Sequence, residues 1–356
     1  MYFFCCKFHD SKRSIQTNVK FALAFKIMTF VKTSFDYLCL TKEFASDIQI
    51  FNRRFRNLLI TMKEAMHNDQ KKTILITGVS TGIGHDLAVH LLENNHVVIG
   101  TVRNEVDGEE LKNKYDQNFH SCVYDVTDID GLQGLVKKVE TILNGNALYA
   151  LINNAGLAMP GPLEVLPYED FKYQMEVNVM AVFRITNAFL AFLGTDEKYR
   201  STPGRIINIS SVSGLFNSPL NGAYAISKHA LESMTEIYRR EVGHFGIKVC
   251  AIEPGPIQTK IWSKNTGALS KFINTHYGKY VGHADKIIER SVANALPTSA
   301  VIDVVQDALF SNKPRHQYLV HKNKFKFYVV TKFLPSWYVD RMIFKSIANF
   351  GNNRPF

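Results

Sequence analysis

The stretch Thr73-Ile-Leu-Ile-Thr-Gly-Val-Ser-Thr-Gly-Ile-Gly84 decides the fold. Residues 73–77 are apolar or β-branched and end in glycine, which predicts a short buried strand. From Ile83 the apolar residues Ile83, Leu87 and Leu91 recur at helical spacing through residue 94. Between strand and helix, three residues separate Gly78 from Gly82 and one separates Gly82 from Gly84. Glycines so placed let the backbone turn sharply and approach a pyrophosphate, whose charge the amides at a helix N-terminus can meet. A glycine-rich turn alone is also an ordinary tight turn. Its position between a strand and a helix makes it a candidate ligand site.

Outward from this stretch the alternation continues. Residues 96–102, 119–124 and 148–152 read as strands, and 106–116 and 129–143 as helices. After a Pro/Gly loop at 159–167 come one long helix at 168–193, a strand at 205–209, a helix at 222–243 and a strand at 248–252. A helix at 299–310 and a strand at 317–320 complete the series. Short buried strands alternating with helices imply parallel strands joined by right-handed crossovers. The expected fold is therefore α/β, a doubly wound parallel sheet of about seven strands, with ligands bound beyond the carboxyl ends of the strands. Residues 71–320 form the expected domain, 1–70 a leader or disordered segment, and 321–356 a basic aromatic tail of helices split by Pro335.

Charge narrows the function. The chain has 356 residues and a formal charge of +10, but residues 71–310 carry 22 bases against 25 acids. Residues 1–70 carry 11 and 6, and residues 311–356 carry 9 and 1. An enzyme of nucleic acid needs its bases on the face that holds the phosphates, so the acidic centre argues against a nucleic-acid substrate. The five cysteines (Cys5, Cys6, Cys39, Cys122, Cys250) form no CxxC or Cys/His spacing, which supports neither a disulfide framework nor a metal site. A reducing, cytoplasmic setting is the simpler reading. No run of about 18 uncharged apolar residues marks a transmembrane helix.

Tyr224-Ala-Ile-Ser-Lys228 puts a phenol and an ammonium one helical turn apart on one face. A tyrosine hydroxyl, with its usual pKa of about 10, is a poor acid or base at neutral pH, and a neighbouring cation favours its phenolate. An exposed helix carrying Tyr and Lys by chance is equally common. Ser211, just past the 205–209 strand, and Asn153-Asn-Ala-Gly156, past the fourth strand, fall in the crevice where such a tyrosine would work, although turns also use these residues.

With these motifs in order the sequence resembles the short-chain dehydrogenase/reductases, in particular their single-domain branch, over residues 71–320. The motifs are TGxxxGIG at 77–84, Asp125 after the third strand, NNAG at 153–156 and Asn178 in the long helix. Ser211, Tyr224 with Lys228, and Pro254-Gly255 with Thr259 follow. The resemblance implies a Rossmann-type three-layer sandwich and hydride transfer between a nicotinamide and a carbon bearing oxygen. It implies that Tyr224 passes the proton, that Lys228 lowers the tyrosine pKa and binds the nicotinamide ribose, that Ser211 holds the substrate oxygen, and that Asn178 anchors a water leading from Lys228. The implied cofactor contacts are Gly78, Ser80, Thr81, Gly82, Ile83, Gly84, Arg103, Asp125, Val126, Asn153, Ala155, Gly156, Tyr224, Lys228, Pro254, Gly255, Ile257 and Thr259, with no metal.

The second strand ends Gly100-Thr-Val-Arg103, without the acid that would bond a ribose 2′-hydroxyl, so NADP(H) is expected over NAD(H). Aromatic and apolar residues at Phe216, Leu220, Trp262, Leu269, Phe272 and Tyr277 suit a small hydrophobic alcohol or carbonyl substrate or, equally, core packing. The stretch VIGTVRN and the tail look similar to steroid- and retinol-dehydrogenase-like members. A homo-oligomer is expected. The tail folds back over the pocket or makes a subunit contact, which is preferred, or meets an anionic membrane peripherally, and the two are compatible. Three rivals remain open: a cofactor-reading redox sensor without turnover, a sugar-nucleotide epimerase or dehydratase of the larger branch, and a membrane-docking module.

Overall fold

A computed structural model of the chain describes residues 71–259, 267–282 and 292–348. They belong to the second of two units, Lys71–Phe356. The expected leader at 1–70 and Trp262 lie outside the described residues.

The strands are β1 (Thr73–Ile76), β2 (Val97–Val102), β3 (Phe119–Val123), β4 (Ala150–Asn153), β5 (Arg205–Ile209), β6 (Lys248–Pro254) and β7 (Gln317–Val320). All neighbours pair in parallel, in the order β3-β2-β1-β4-β5-β6-β7. The chain therefore starts at the centre, winds outward to β3 and crosses back to β4. The β1/β4 junction is the switch point at which such sheets open a crevice.

The continuous apolar character of the strands follows from burial on both faces. Along β1, Ile74 and Ile76 face one core while Leu75 faces the other. Helix α1 (Gly82–Glu93) closes the first face with Leu87 and Leu91, and α7 (Ser299–Phe310) adds Val301, Val305 and Leu309. The second face is closed by α3 (Leu132–Leu143), α5 (Ala181–Leu190) and α6 (Gly222–Glu241) through Val139, Phe189 and Tyr238. Helix α2 (Val106–Tyr115) joins β2 to β3 and anchors itself through Leu111. Cys122 and Cys250 are free and buried in these cores.

Three departures from the expected elements have local causes. The predicted continuous helix at 168–193 is broken into α4 (Tyr168–Met175), a π-helical turn at Glu176–Met180, α5, and a second π turn at Ala191–Thr195 that stops at Gly194 with φ +121°. Such π turns concentrate at functional sites, and the first one contains Asn178. Helix α3 starts three residues later than expected because side-chain turns occupy the preceding backbone: Thr127 N–H donates to Asp125 Oδ1 (2.8 Å) and Gly131 N–H to Asp128 Oδ1 (3.0 Å). Strand β6 runs two residues further, to Pro254, because Glu253 and Pro254 pair with Leu319 and Val320 of β7. The segment Tyr168–Thr195 is long and apolar enough to cross a membrane, but it lies mostly buried against the sheet. Beyond β7 stand α8 (Lys324–Lys332) and α9 (Ser336–Ala348), separated at Pro335 as expected.

Candidate active site

The glycine-rich turn is held between the ends of β2 and β4. Gly78 N–H donates to Thr101 Oγ1 (3.0 Å) and Val79 N–H to the Thr101 carbonyl (3.0 Å). On the other side Asn154 Nδ2 donates to the carbonyls of Thr77 (2.9 Å) and Gly78 (2.8 Å), while Thr77 Oγ1 accepts from the amides of Asn154 and Ala155 (both 3.0 Å). Gly78 has φ +72°, a conformation glycine adopts at little cost. A Cβ on Gly84 would lie 2.3 Å from both Asn154 Nδ2 and the Gly78 carbonyl, so only glycine fits.

The N-terminus of α1 is free to take an anion. Its N-cap, Thr81, makes no side-chain cap bond, and no acid occupies the first turn. The orphan amides and the positive end of the dipole therefore face the crevice without a competing carboxylate. Ser80 and Ile83 border this end and are half-buried. Thr259 closes it from the opposite side, within 3.5 Å of a Cβ placed on Gly82. Arg103 is exposed directly after the buried Val102, and the Thr101 bonds tie that strand end to the turn. These groups fit a dinucleotide phosphate.

Other expected cofactor residues are placed differently from one another. Asp125 Oδ1 accepts from Thr127 N (2.8 Å) and Thr127 Oγ1 (2.7 Å), which fixes the loop after β3, and Val126 packs against the α3/α5 face. Asn153 is only 3% exposed, and its Nδ2 donates to Thr186 Oγ1 (3.1 Å) and Asn208 Oδ1 (2.8 Å), so its side chain ties β4 to α5 and β5 inside the fold. Its neighbour Asn154 and the residue Thr77, part of the sequence motifs but not among the expected cofactor contacts, shape the glycine-rich turn. The doubled asparagine was the available signal, but spacing cannot say which of two adjacent amides faces the turn. Gly255 N–H donates to the Val320 carbonyl (2.8 Å), and Ile257 is buried where its segment bridges to Leu296.

Tyr224 and Lys228 share one face of α6. Lys228 is 5% exposed and its Nζ donates to the Ile209 carbonyl (2.8 Å) at the end of β5, standing 5.7 Å from the centre of the Tyr224 ring. Ser211, two residues beyond β5, is buried; its Oγ accepts from Ser213 N–H (3.1 Å) and approaches the Pro254 carbonyl (3.5 Å). Asn178 Oδ1 accepts from Leu157 N–H (3.0 Å), and its Nδ2 donates to the Leu157 carbonyl (2.9 Å) and Ser227 Oγ (3.0 Å). A Cβ on Gly156 would lie 3.2 Å from Asn178 Oδ1 and 3.7 Å from Lys228 Nζ. The loops after β4 and β5, the π turn and α6 thus converge at one end of the sheet.

Burial pushes the Tyr224 hydroxyl above its ordinary range, and a hydrogen bond with Ser211 opposes this. Burial also lowers Lys228, to about 8, while Glu232 holds it up. In this arrangement the ammonium donates to the Ile209 carbonyl.

On the substrate side, Phe272 (3% exposed), Leu269 and Val281 form a small core with Leu220 and Tyr277, so these aromatic and apolar residues pack together. Phe216 instead meets Phe327 of α8 edge-on at 6.4 Å. A cavity of about 260 Å³ lies there, lined by Phe216, His321, Asn323, Lys326, Phe327 and Val330. His321 also abuts Gly255, with its Cδ2 2.7 Å from a Cβ placed there.

Comparison with known proteins agrees with this geometry. The family model described as short chain dehydrogenase matches residues 72–269. The NADPH-dependent 3-dehydrocapnine reductase of Ornithobacterium rhinotracheale is 33% identical over 273 residues, which span 77% of this chain and 96% of that protein. Retinol dehydrogenase 16 of Mus musculus is 30% identical over 298 residues, covering 80% and 91%. A short-chain dehydrogenase from Streptomyces avermitilis superposes with a TM-score of 0.64 at 24% identity, covering 79% of this chain and 98% of that one, a likeness of fold.

Proposed function

The chain belongs to the short chain dehydrogenase family, and on that premise we propose that it interconverts an alcohol and a carbonyl on a hydrophobic substrate, with NADP(H) preferred over NAD(H). It is an oxidoreductase of the nicotinamide-dependent type. The observation that carries the finer reading is the convergence of Asn178, Ser211, Tyr224 and Lys228 at the carboxyl ends of β4 and β5.

The nicotinamide, when bound, supplies or takes the hydride. The chain does the rest. The Tyr224 hydroxyl gives its proton to the carbonyl oxygen on reduction and takes it back on oxidation. Ser211 Oγ fixes that oxygen by hydrogen bonding. Lys228, released from the Ile209 carbonyl, steadies the phenolate and reaches a ribose hydroxyl. Asn178 holds the Leu157 loop and Ser227 in place and leads from Lys228 toward solvent. Thr77, Gly78, Gly84 and Asn154 shape the phosphate turn, and Arg103 meets the 2′-phosphate. The similarity to an NADPH-dependent reductase supports this preference.

The apolar cavity at Phe216 and Phe327 supports a substrate with a hydrocarbon body, in keeping with the retinol dehydrogenase relative. The tail serves two sides in this reading. One face of α8 covers the pocket, while Phe325 (82% exposed), Phe333 (69%) and Trp337 (65%), set among lysines, meet an anionic membrane surface peripherally. The enzyme is cytoplasmic and homo-oligomeric in the same reading.

Tyr224→Phe tests the mechanism. The variant should still quench NADPH fluorescence on binding and should lose turnover of hydrophobic ketones and aldehydes by at least about a hundredfold. Full turnover by the variant would remove the tyrosine from the mechanism and reopen the redox-sensor reading.

A further inference from the structure

On helix α6, Glu232 follows Lys228 by one turn, as Lys228 follows Tyr224, so the three side chains stand in a row on one face. Glu232 lies against the turn that carries Ser211: a Cβ on Gly214 would meet Glu232 Cγ at 2.9 Å, the Lys228 carbonyl at 3.0 Å and Ser210 Oγ at 3.1 Å. Gln317 of β7 donates to Glu232 Oε2 at 3.2 Å, while Oε1 is shut away from solvent with no geometric hydrogen-bond partner among the described residues. A second carboxyl, Glu253, lies on β6 between Pro254 and Ile252, and the Ile252 carbonyl accepts from Ser210 N–H (2.7 Å), which puts this strand beside the Ser210 turn. Glu253 is 3% exposed, and its Oε1 is likewise buried without a partner among the described residues.

Two buried carboxyls that feel each other's charge do not readily both ionise. Hydrogen-bond donors and cations decide which one carries the charge. Glu232 has Gln317 as donor and Lys228 and His229 as nearby positive or titratable groups. Glu253 has only Lys332 of α8 to offset burial and the charge of Glu232. We propose that Glu232 is a positioning residue of the reaction: its carboxylate keeps the buried Lys228 charged, and Glu253 stands beside it as a neutral acid.

Burial raises Glu232 as well, and hydrogen bonding to Ser210 and Gln317 together with the charges of Lys228 and His229 oppose that rise. Burial drives Glu253 up to about 8, with Glu232 adding to the rise, and Glu232 opposes the fall of Lys228. Lys228, lowered to about 8, stays mostly charged at pH 7 but loses its proton just above it, so the loss of its anion is felt at mildly alkaline pH. Glu232 touches no reacting atom and acts through Lys228.

This inference rests on the catalytic reading above, and two readouts separate their failures. The first is the pH profile of kcat/KM for a turned-over ketone. Glu232→Gln should move the alkaline limb down by about one pH unit, so that activity at pH 8 relative to pH 6 falls about fivefold. Glu232→Asp should restore the limb. Glu253→Gln should leave its position in place. The second readout needs no turnover: ¹⁵N-lysine NMR of Lys228 Nζ should show the same downward move in Glu232→Gln alone. An activity lowered equally at all pH values, or a limb moved by Glu253→Gln and not by Glu232→Gln, overturns the assignment. If wild-type protein turns over nothing while the NMR midpoint shifts, the catalytic reading fails and the electrostatic one stands.

Discussion

Replacing Gly84 by alanine tests the construction of the phosphate turn. An added Cβ would sit 2.3 Å from the Gly78 carbonyl and from Asn154 Nδ2. The carbonyl is backbone and cannot rotate away; the amide can, but only by giving up its bonds to Thr77 and Gly78. Each lost bond costs about 1 kcal/mol, and overpacking adds roughly 1–3 kcal/mol. Alanine gains back about 1 kcal/mol of helix propensity, because Gly84 lies in α1. The net loss is about 2–4 kcal/mol, or roughly 4–16 °C in Tm at about 2–4 °C per kcal/mol for a domain of this size. Since the strain falls on the turn itself, NADPH affinity should drop at least about tenfold in a fluorescence titration. Gly134 of α3 is the control: nothing lies within 4 Å of its missing Cβ, so Gly134→Ala should be neutral or stabilising by up to about 1 kcal/mol. Equal thermal shifts for the two variants would refute the argument, and so would unchanged cofactor affinity in Gly84→Ala.

Glu253→Gln should change the pH dependence of stability. The carboxyl keeps its proton in the folded state up to about pH 8 but releases it near 4.5 when unfolded. A raised carboxylate pKa costs nothing below 4.5 and costs progressively more as pH rises from 4.5 to 8, with an upper bound of about 5 kcal/mol. Urea melts should therefore show the variant gaining on wild type across that window; a constant difference would contradict it. Arg103→Glu should reverse cofactor preference, raising KM for NADPH at least about tenfold while sparing NADH, because a carboxylate repels the 2′-phosphate; parallel changes with both cofactors would exclude Arg103 from phosphate reading. Converting Phe325, Phe333 and Trp337 to serine should abolish flotation with phosphatidylserine-containing vesicles while leaving turnover of a soluble substrate intact. Unchanged flotation would place the membrane contact elsewhere.

The alternation of strands and helices and the spacing of the motifs were legible in the sequence because both rest on short-range pattern. Burial on two faces makes β1 an apolar run bounded by turn residues, whereas the order of the strands appeared only in the structure. Motif spacing likewise set Tyr224 beside Lys228, since four residues make one turn of any helix. The π turn at Glu176–Met180 was not legible. It arises where Asn178 bonds the Leu157 loop, a contact 21 residues away in the chain. The separate tasks of Asn153 and Asn154 were hidden for the same reason. Adjacent residues at a strand end point opposite ways, and only the packed neighbours reveal which one enters the core.

Taken by itself, the sequence determined the alternation of parallel strands and helices, the glycine-rich turn and the face of α6 shared by Tyr224 and Lys228, all of which follow from periodicity and from the few backbone shapes glycine permits. It also located the positive charge at the ends of the chain. Tertiary structure alone decided how strongly each group holds its proton. Lys228 is lowered and Glu253 raised because β6, β7 and α6 close over them and exclude water, and desolvation depends on neighbours that spacing along a chain does not specify.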